Sequence, residues 1–574
     1  MKFKPFSTGP ISALCILLIL MVTLGCDETK KTEGESKEVL EAAVVIEPSQ
    51  KNVHVAFAGG GWRAHTGHSA WVISLLQNGK LSLEDAFGQV GVIGSNSGGT
   101  WFSTMLALSN NFVTDIEAGN AIVEWPKTGW LGKQHDLFVN TSGCDKAWDY
   151  WYAYTLCVLD KNDNDSGDWA SIVEKIIYEG YPLGTTTLKG PRQTWANDKT
   201  LLAAGSMLTS NVLLNAYGKD LLDDKRHKYQ YYQACLNPAT PDLGTFRMAA
   251  TCANDPGKLS EVTPVIFSGL PTASKDAAPS FLPVLEGGGF YNVGYSEAIL
   301  DDDPDSKTIP ISNPTDNDNV LAVHAASASS AALGFLSYVR AYNTWSWGDA
   351  YENRLLAPSF SLDGSVKLAD TEKLTVETLA SEKIVRIADG GPVDNSGVAQ
   401  IVKYLQLNGS ADGFNIVAFD NVTSSFSAGS GAAVGPDIAN LFGKGLCGDS
   451  SNKFCVEGCG ITNDLAGCVY IPKIQIFEEG ALTGTSHTWK ANDGNMELIY
   501  TKYEVTTVEN PNFNITANST GTLHSFTCVA PNAGTVPTDS KFTGYTDMFN
   551  FIHTQLNDSS GKGLGYLKSA FDLK

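Results

Sequence analysis

The sequence predicts an α/β protein with three α/β/α layers around a mostly parallel central sheet and long insertions. Two short apolar runs, at 52–58 and 89–94, are each followed by a glycine-rich turn and then by a segment of helical character. This order of strand, loop and helix is typical of a parallel sheet that is covered by helices. Similar buried-strand runs follow along the chain, at 263–268, 319–323, 383–387 and 414–419.

The overall composition is that of a globular protein and limits its partners. Of the 574 residues, 43% are hydrophobic and 18% are charged, and the formal net charge is −22. Nucleic-acid binding needs clustered Lys and Arg, so no nucleic-acid partner is expected. The same acidity disfavours electrostatic adhesion to an anionic membrane, so any contact with lipid is expected to be hydrophobic.

The segment 1–26 is interpreted as an export signal. Two lysines precede an apolar run at 11–24, which is short for a transmembrane span. The end of this run resembles the processing box of bacterial lipoproteins, although Thr23 stands where leucine is usual. We therefore predict an exported protein, anchored as a bacterial lipoprotein through Cys26 or freely secreted. An uncleaved N-terminal anchor is the alternative.

The rest of the chain is predicted to form a linker and one large domain. Residues 27–50 are charged and nearly free of large apolar groups, which favours a flexible linker. Residues 51–574 are predicted to be a single α/β domain. Its aromatic-rich stretch around 125–170 is an insertion that either caps a pocket or forms an aromatic core of its own. Acidic stretches at 160–168 and 301–305 are interpreted as solvated turns, and no metal is expected.

The cysteines favour disulfides. Of the 11 cysteines, two lie in the export signal, so nine remain. In an oxidising compartment most are expected to pair, with at least one left over if all bonds are internal. The group at 447–468 contains no C-x-x-C, which favours disulfides over zinc.

A glycine-rich loop joins the first predicted strand to the first predicted helix. Gly59, Gly60 and Gly61 allow a sharp turn and leave amide N–H groups at a helix N-terminus, where a phosphate or an oxyanion can bind. The spacing to Ala64 also fits the dinucleotide fingerprint. That fold expects an acidic residue at the end of the second strand, where this chain has a serine-rich turn instead, so no nucleotide cofactor is expected.

That serine-rich turn has the pattern of a nucleophile elbow. Ser97 follows the predicted strand at 89–94 and is succeeded by Gly98 and Gly99. A tight strand-to-helix turn exposes the serine hydroxyl, and the two glycines keep the approach to it open. Ser95 stands where glycine is more usual, and a side chain this short is expected to be tolerated.

A third motif follows the predicted strand at 383–387. It consists of Asp389, Gly390 and Gly391. The carboxyl ends of parallel strands meet at one rim of a sheet. We therefore expect Asp389 at the end of a parallel strand, on the same rim as Ser97 and the glycine loop.

Together the three motifs resemble the cytosolic phospholipase A2 and fungal phospholipase B (lysophospholipase) branch of the patatin-like hydrolases. In that family a G-G-G-x-R-A loop, an S-G-[GS]-[ST]-W elbow and a late D-G-G occur in this order. The resemblance implies that 51–574 is a catalytic domain in which Ser97 is the nucleophile and Asp389 the general base. It further implies that Gly60 and Gly61 provide oxyanion amides and that Arg63 contacts a head-group phosphate.

The implied chemistry is hydrolysis of the acyl ester of a phospholipid or lysophospholipid through an acyl-enzyme, without cofactor or metal. A dyad without histidine requires the Asp389 carboxylate at about 2.6–3.2 Å from the Ser97 hydroxyl. It also requires partial desolvation, which makes the carboxylate a stronger base. Arg63 has an alternative role, a salt bridge that locks the loop.

Two other functions remain open from the sequence. His487, His524 and His553 all follow Asp389, so a Ser–His–Asp esterase of the α/β-hydrolase type is one alternative. The other is a non-catalytic lipid-binding surface protein that has kept the fold.

Overall fold

The centre of the molecule is a β-sheet whose middle strands run parallel. It is seen in a computed structural model that describes residues 46–118, 125–144, 153–162, 169–209, 260–271, 273–277, 285–286, 294–296, 308–310, 321–331, 359–361, 367–368, 384–427, 433–444, 459–460, 469–471, 474–483, 487–510, 513–538 and 540–574. All of these lie in one compact unit, Ile46–Lys574.

The strands, in chain order, are β1 Val53–Phe57, β2 Val90–Asn96, β3 Thr200–Thr209, β4 Ser260–Gly269, β5 Leu285–Glu286, β6 Gly294–Ser296, β7 Thr308–Pro310, β8 Ser359–Ser361, β9 Lys367–Leu368, β10 Ile384–Asp389, β11 Phe414–Val422, β12 Phe426–Ser427, β13 Ala433–Val434, β14 Cys459–Gly460, β15 Val469–Ile471, β16 His487–Asp493, β17 Met496–Thr506 and β18 Thr520–Val529.

The α-helices are α1 Gly61–Gly79, α2 Leu83–Phe87, α3 Gly98–Leu108, α4 Asn110–Glu117, α5 Trp125–Thr128, α6 Trp130–Asn140, α7 Ala153–Asn162, α8 Trp169–Ile172, α9 Ala322–Ser329, α10 Gly391–Asp394, α11 Val398–Leu407, α12 Pro436–Leu441, α13 Thr543–Leu556 and α14 Lys562–Ala570. Three short 3₁₀ helices (Pro48–Gln50, Thr194–Ala196 and Glu479–Thr483) and a π-helical turn (Val173–Ile177) complete the described elements.

The central strands are paired in the order β18–β11–β1–β2–β3, and each of these four pairings is parallel. Antiparallel strands extend both sides, β17 and β16 beyond β18, and β4 beyond β3. The predicted mostly parallel central sheet is therefore confirmed.

Helices cover both faces of this sheet. Successive side chains of a strand point to opposite faces of the sheet, so two adjacent residues of β2 show which helix covers each face. A Cβ at Gly94 would overlap Gly397 and Ile401 at the start of α11, whereas the Ser95 hydroxyl accepts a hydrogen bond from Ser103 of α3 at 2.9 Å. The two helices therefore lie on opposite faces, which confirms the predicted three-layer fold.

Aromatic packing fills the layer between the sheet and α1. Phe57 of β1 stacks on Phe419 of β11, and Trp71 of α1 packs against Phe419 and Phe526. All four side chains are at most 1% exposed. Burial of a large aromatic side chain is worth roughly 2–3 kcal/mol, so this layer holds the first βα unit rigidly beneath the loops that follow its strands.

β10 differs in direction from the prediction. It pairs antiparallel with β3, and Asp389 lies opposite Gly205, while β2 pairs with the preceding part of β3 so that Asn96 lies opposite Ala204. Because β4 occupies the other edge of β3, β2 and β10 share one edge and meet end to end. The expectation that Asp389 ends a parallel strand is wrong, yet the two strand ends still converge.

Another predicted strand is also wrong. The apolar run at 319–323 leads into α9, which begins at Ala322, because the small side chains of this segment pack tightly between β3, β10 and α3. The predicted runs at 263–268, 383–387 and 414–419 are confirmed as β4, β10 and β11.

The folded unit begins at Ile46, five residues before the predicted domain start. In the 3₁₀ turn Pro48–Gln50, the amide of Ser49 donates to the Asp276 carboxylate at 2.9 Å. The predicted export signal, Cys26 and residues 27–45 of the predicted linker lie outside the described residues. No helix in the described part of the chain is long and apolar enough to cross a bilayer.

The described part of the aromatic stretch packs into the main hydrophobic core. Trp125, Trp130 and Trp169 are at most 7% exposed, and Trp125 stacks on Phe549 of α13 with ring centroids 4.9 Å apart. A disulfide joins Cys144 to Cys157, in keeping with the expectation that most of the cysteines pair.

Within the described residues, Cys528 is buried and forms no disulfide, which fits the expectation that at least one cysteine is left over. The disulfides that the sequence predicts within 447–468 fall outside the described side chains, and so do the acidic stretches at 163–168 and 301–305.

Candidate active site

Ser97 and Asp389 lie in contact at the meeting point of β2 and β10. The Ser97 hydroxyl donates a hydrogen bond to Asp389 Oδ2 at 2.9 Å, across 292 residues of chain. Each of the two residues is only 7% exposed. This distance meets the requirement for direct proton transfer between a hydroxyl and a carboxylate.

The backbone at Ser97 is strained in the way a nucleophile elbow requires. Its φ of 48° and ψ of −124° lie outside the regions that non-glycine residues favour, at a cost of about 1–3 kcal/mol. The Ser97 amide is fixed by the hydroxyl of Ser329 at 2.9 Å and by its carbonyl at 3.2 Å. Gly98 and Gly99 begin α3, and a Cβ on either one would overlap backbone atoms of Gly61 or Phe57.

The glycine loop lies directly against this elbow. Gly60 and Gly61 have φ angles of 127° and 54°. The neighbouring amides are used, since Gly59 donates to Asn395 O at 2.8 Å and Trp62 donates to Thr535 O at 3.0 Å. By contrast, no backbone carbonyl of the described residues accepts a hydrogen bond from the amide of Gly60 or Gly61. These two amides at the start of α1 remain available to an anionic group beside Ser97.

Burial sets the basicity of Asp389. Desolvation raises the pKa of this carboxyl to about 6, against the opposing effects of hydrogen bonds from the Gly391 amide, Ser97 and the Asn96 side chain. The Gly391 amide donates to Oδ1 at 2.7 Å. Gly390 precedes it and must lack a side chain, because a Cβ there would overlap Asn96. A carboxylate with this pKa is ionised at neutral pH and is a stronger base than an exposed aspartate.

Most contacts of the Arg63 guanidinium are with backbone carbonyls and not with an open anion site. Its Nε donates to Asn421 O at 2.7 Å, and its Nη1 lies 3.4 Å from Ala533 O. Burial lowers the pKa of the guanidinium, and the carboxyl groups of Asp420 and Asp437 oppose this shift. Nη2 faces Gly60 and carries no such bond to the described residues. The contacts that are present lock α1 to the end of β11, as a loop-locking role predicts, although through carbonyls and not through a salt bridge.

The histidines of the alternative triad have other partners. The Nδ1 of His524 lies 2.9 Å from the hydroxyl of Tyr500, and the Nδ1 of His553 lies 3.4 Å from the hydroxyl of Ser74. The side chain of His487 lies outside the described residues. The geometry brings Asp389, and neither His524 nor His553, to the Ser97 hydroxyl.

Several residues that contact the site carry no role in the sequence analysis. Ser329 on α9 fixes the Ser97 amide and accepts from the Gly390 amide at 3.3 Å through its carbonyl. Asn96 and Asn395 pair through their side chains at 2.9 Å. Asn96 directly precedes the elbow serine and Asn395 lies six residues after Asp389, so their nearness to the motifs is a signal in the sequence. Ser329 lies six residues beyond the run predicted as a strand and has no local signal.

Comparison with known proteins gives a distant likeness in structure. No protein-family model and no curated protein matches the sequence. Among solved structures, the chain is similar to human GIVD cytosolic phospholipase A2, with a TM-score of 0.36 and 10% sequence identity. The match covers 91% of this chain and 63% of that chain, so this chain spans less than two thirds of the phospholipase. A likeness this distant says nothing of the activity of this chain.

Proposed function

We propose that this chain is an exported serine hydrolase that cleaves the acyl ester of phospholipids or lysophospholipids. The observation that carries the proposal is the hydrogen bond of 2.9 Å between the Ser97 hydroxyl and the Asp389 carboxylate. Ser97 is the nucleophile and Asp389 is its general base. The order of the three motifs and their resemblance to the cytosolic phospholipase A2 and phospholipase B branch support the choice of substrate.

The reaction proceeds in two balanced steps. Ser97 Oγ attacks the ester carbonyl while its proton passes to Asp389, and the oxyanion forms beside the amides of Gly60 and Gly61. Collapse of this intermediate releases the alcohol, which takes the proton from Asp389. A water molecule then attacks the acyl-enzyme and gives its proton to the same carboxylate. The fatty acid leaves, and the Ser97 hydroxyl is restored.

The two loops of the site rest on an apolar layer. Trp62 follows the glycine loop and Trp101 follows the elbow, and their rings pack edge to face with centroids 5.2 Å apart. Trp62 is held in place by Gln134, which accepts from its Nε1 at 3.0 Å. Both rings are at most 2% exposed, so they support the loops from beneath, and the choice of a lipid substrate rests on the motif resemblance. The Arg63 Nη2 group beside Gly60 supports recognition of a phosphate.

The decisive experiment combines covalent labelling with a lipid panel. The wild type, Ser97→Ala and Asp389→Asn are treated with a fluorophosphonate probe and assayed on defined phospholipid and lysophospholipid micelles. We expect the wild type to be labelled and to release fatty acid with or without a chelator, and Ser97→Ala to do neither. Ser69→Ala is the matched control, because that buried hydroxyl bonds only to His65 O of its own helix.

Each alternative has its own outcome. A wild type that binds lipid micelles but neither labels nor releases fatty acid would identify a non-catalytic lipid-binding protein. Loss of turnover on replacing one histidine, with the fold intact, would favour the triad. The export proposal rests on the N-terminal sequence alone, and radiolabelled palmitate incorporation that depends on Cys26 tests the lipoprotein form.

A further inference from the structure

Asn395 is the residue that touches all three motif segments. Its backbone carbonyl accepts from the amide of Gly59 at 2.8 Å, which ties it to the glycine loop. Its Oδ1 accepts from Asn96 Nδ2 at 2.9 Å, which ties it to the residue before the nucleophile. The same Oδ1 fills the space that a side chain on Gly59 would need, and it lies 3.3 Å from the Cβ position of Gly391.

Asn96 carries this contact on to the base. Its side chain hydrogen-bonds the Asp389 carboxyl and lowers the pKa of that group. Its Oδ1 accepts from the Ser329 hydroxyl at 3.3 Å. The two N–H bonds of the Asn96 amide are thus divided between Asn395 and Asp389, so the acceptor on Asn395 determines how the amide faces the carboxylate.

Asn395 is itself held from behind by a buried acid. Its Nδ2 donates to Asp437 Oδ2 at 2.7 Å. Asp437 in turn lies against the carboxyl of Asp420, and the pKa of each of the two is raised, chiefly by burial. In the described part of the chain, Asp420 is 0% exposed and has no N–H or O–H donor apart from that carboxyl. Burial and the neighbouring carboxyl both raise the pKa of Asp420, so the contact favours the protonated form of this group.

From these contacts we propose that Asn395 is a positioning residue for the Ser97–Asp389 pair. It holds the Asn96 amide on the Asp389 carboxylate and the glycine loop beside Ser97, and Asp437 fixes its orientation. This inference rests on the proposed hydrolase function for its kinetic consequences, but the geometry of the network does not depend on it.

The charged and titratable groups around this network come from several elements. Arg63 of α1 attracts both carboxyls of the pair, and Cys528 of β18 lies near Arg63 and Asp420. Asp394 of α10 faces Asp437, but it is held separately by the Ser396 amide at 3.0 Å and the Ala399 amide at 2.9 Å. Asp437 is therefore the carboxyl through which this cluster contacts Asn395.

The test compares Asn395→Ala, Asp437→Ala and Asp437→Asn with Asn408→Ala in the full chain. Asn408 is a matched control, since its side chain also makes several hydrogen bonds, to Tyr404 O and to Ala277, at the other end of α11. On a soluble fluorogenic ester, Asn395→Ala is expected to lower kcat about a hundredfold with little change in KM, because misplacement of reacting groups by about 1 Å has that effect.

The pH profile separates positioning from a merely structural role. In Asn395→Ala, the hydrogen bond from the Asn96 side chain to the Asp389 carboxylate is expected to be lost. The midpoint of the acid limb in the pH profile of kcat is then expected to rise by about one pH unit. Asp437→Ala is expected to have the same two effects as Asn395→Ala, a lower kcat and a higher midpoint of the acid limb. Asp437→Asn is expected to recover most of this loss, because its amide oxygen still accepts from Asn395.

A second readout needs no turnover. The pH at which Asp389 titrates is also found from the melting temperatures of each background with and without Asp389→Asn. If the pH of this inflection is higher in Asn395→Ala than in the wild type, the proposal is supported even when the wild type proves inactive. An inactive wild type would contradict only the hydrolase function. Unchanged inflections in both Asn395→Ala and Asp437→Ala would overturn the positioning role, whatever happens to kcat. If Asn395→Ala does not fold, the two Asp437 variants decide.

Discussion

Two buried carboxyl groups lie near the same rim of the sheet and have opposite surroundings. Asp389 accepts hydrogen bonds from the Ser97 hydroxyl and the Gly391 amide, whereas Asp420 faces a second carboxyl on Asp437. Burial raises the pKa of both groups, to about 6 for Asp389 and well above the ordinary aspartate value for Asp420. Hydrogen-bond donors limit the rise for Asp389, whereas for Asp420 burial and the neighbouring carboxyl both raise the pKa.

The difference shows that burial alone does not make a catalytic base. A carboxyl group becomes a useful base when desolvation raises its pKa and a few donors stop the rise near neutrality. Asp389 meets both conditions. Asp420 meets the first only, because its neighbour is a second carboxyl that raises its pKa further.

The largest expected effect is on turnover. Asp389→Asn removes the proposed base and is expected to lower kcat on the order of 10⁴-fold or more, since loss of one member of the catalytic triad lowers kcat by about 10⁴- to 10⁶-fold in serine proteases. Asp420→Asn keeps the size of a side chain that does not contact the Ser97 hydroxyl and is expected to lower kcat less than about threefold. The measurement is kcat on a soluble ester at pH 8 for both variants. Equal losses in the two would remove the distinction between the carboxyls.

The second effect is on stability and has a definite sign. The pKa of Asp389 is raised from 3.8 to about 6 in the folded state, so the native protein binds this proton more tightly than the unfolded chain. The contribution of Asp389 to stability therefore falls as pH rises from about 4 to about 6 and stays unfavourable above. Two pKa units correspond to about 3 kcal/mol. The free energy of unfolding of Asp389→Asn minus that of the wild type is thus expected to be up to about 3 kcal/mol larger at pH 7 than at pH 4.

Urea denaturation of the wild type and Asp389→Asn at the two pH values measures this change. The subtraction cancels the other titrating groups, which both proteins share. A stability difference that is the same at pH 4 and pH 7 would mean that Asp389 is not desolvated in the native state.

The third effect is the acid limb of the activity profile. Only ionised Asp389 accepts the Ser97 proton, so kcat is expected to fall about tenfold for each pH unit below about 6. The Asp420→Asn variant is expected to keep the same limb, because Asp420 is not among the groups that shift the pKa of Asp389. An acid limb of kcat with its midpoint near pH 4 in the wild type would contradict the buried environment of Asp389.

The smallest expected effect is the stability of Asp420→Asn. An amide at this position can donate a hydrogen bond to the Asp437 carboxyl, so the free energy of unfolding is expected to change by less than about 1 kcal/mol between pH 5 and pH 8. Thermal denaturation across this pH range tests it. A large loss at neutral pH would mean that Asp420 is ionised beside Arg63.

The sequence by itself determined the parts of this protein that depend on adjacent residues. The glycine loop, the elbow at Ser97 and the D-G-G turn at Asp389 each follow an apolar strand, and all three strands form where predicted. Strand, tight turn and helix are specified within about ten residues by periodicity and by glycine, which is why their order was readable. The parallel centre of the sheet follows from the same units.

Tertiary structure alone decided how these parts meet. β10 runs antiparallel because β3 extends beyond the end of β2 and offers it a free edge, a pairing that joins residues some 180 positions apart. The helix at Ala322 and the contacts of Ser329, Asn395 and Asp437 likewise depend on distant packing partners. Such contacts leave no local pattern, because a hydrogen bond between remote residues constrains their positions in space and not their spacing in the chain.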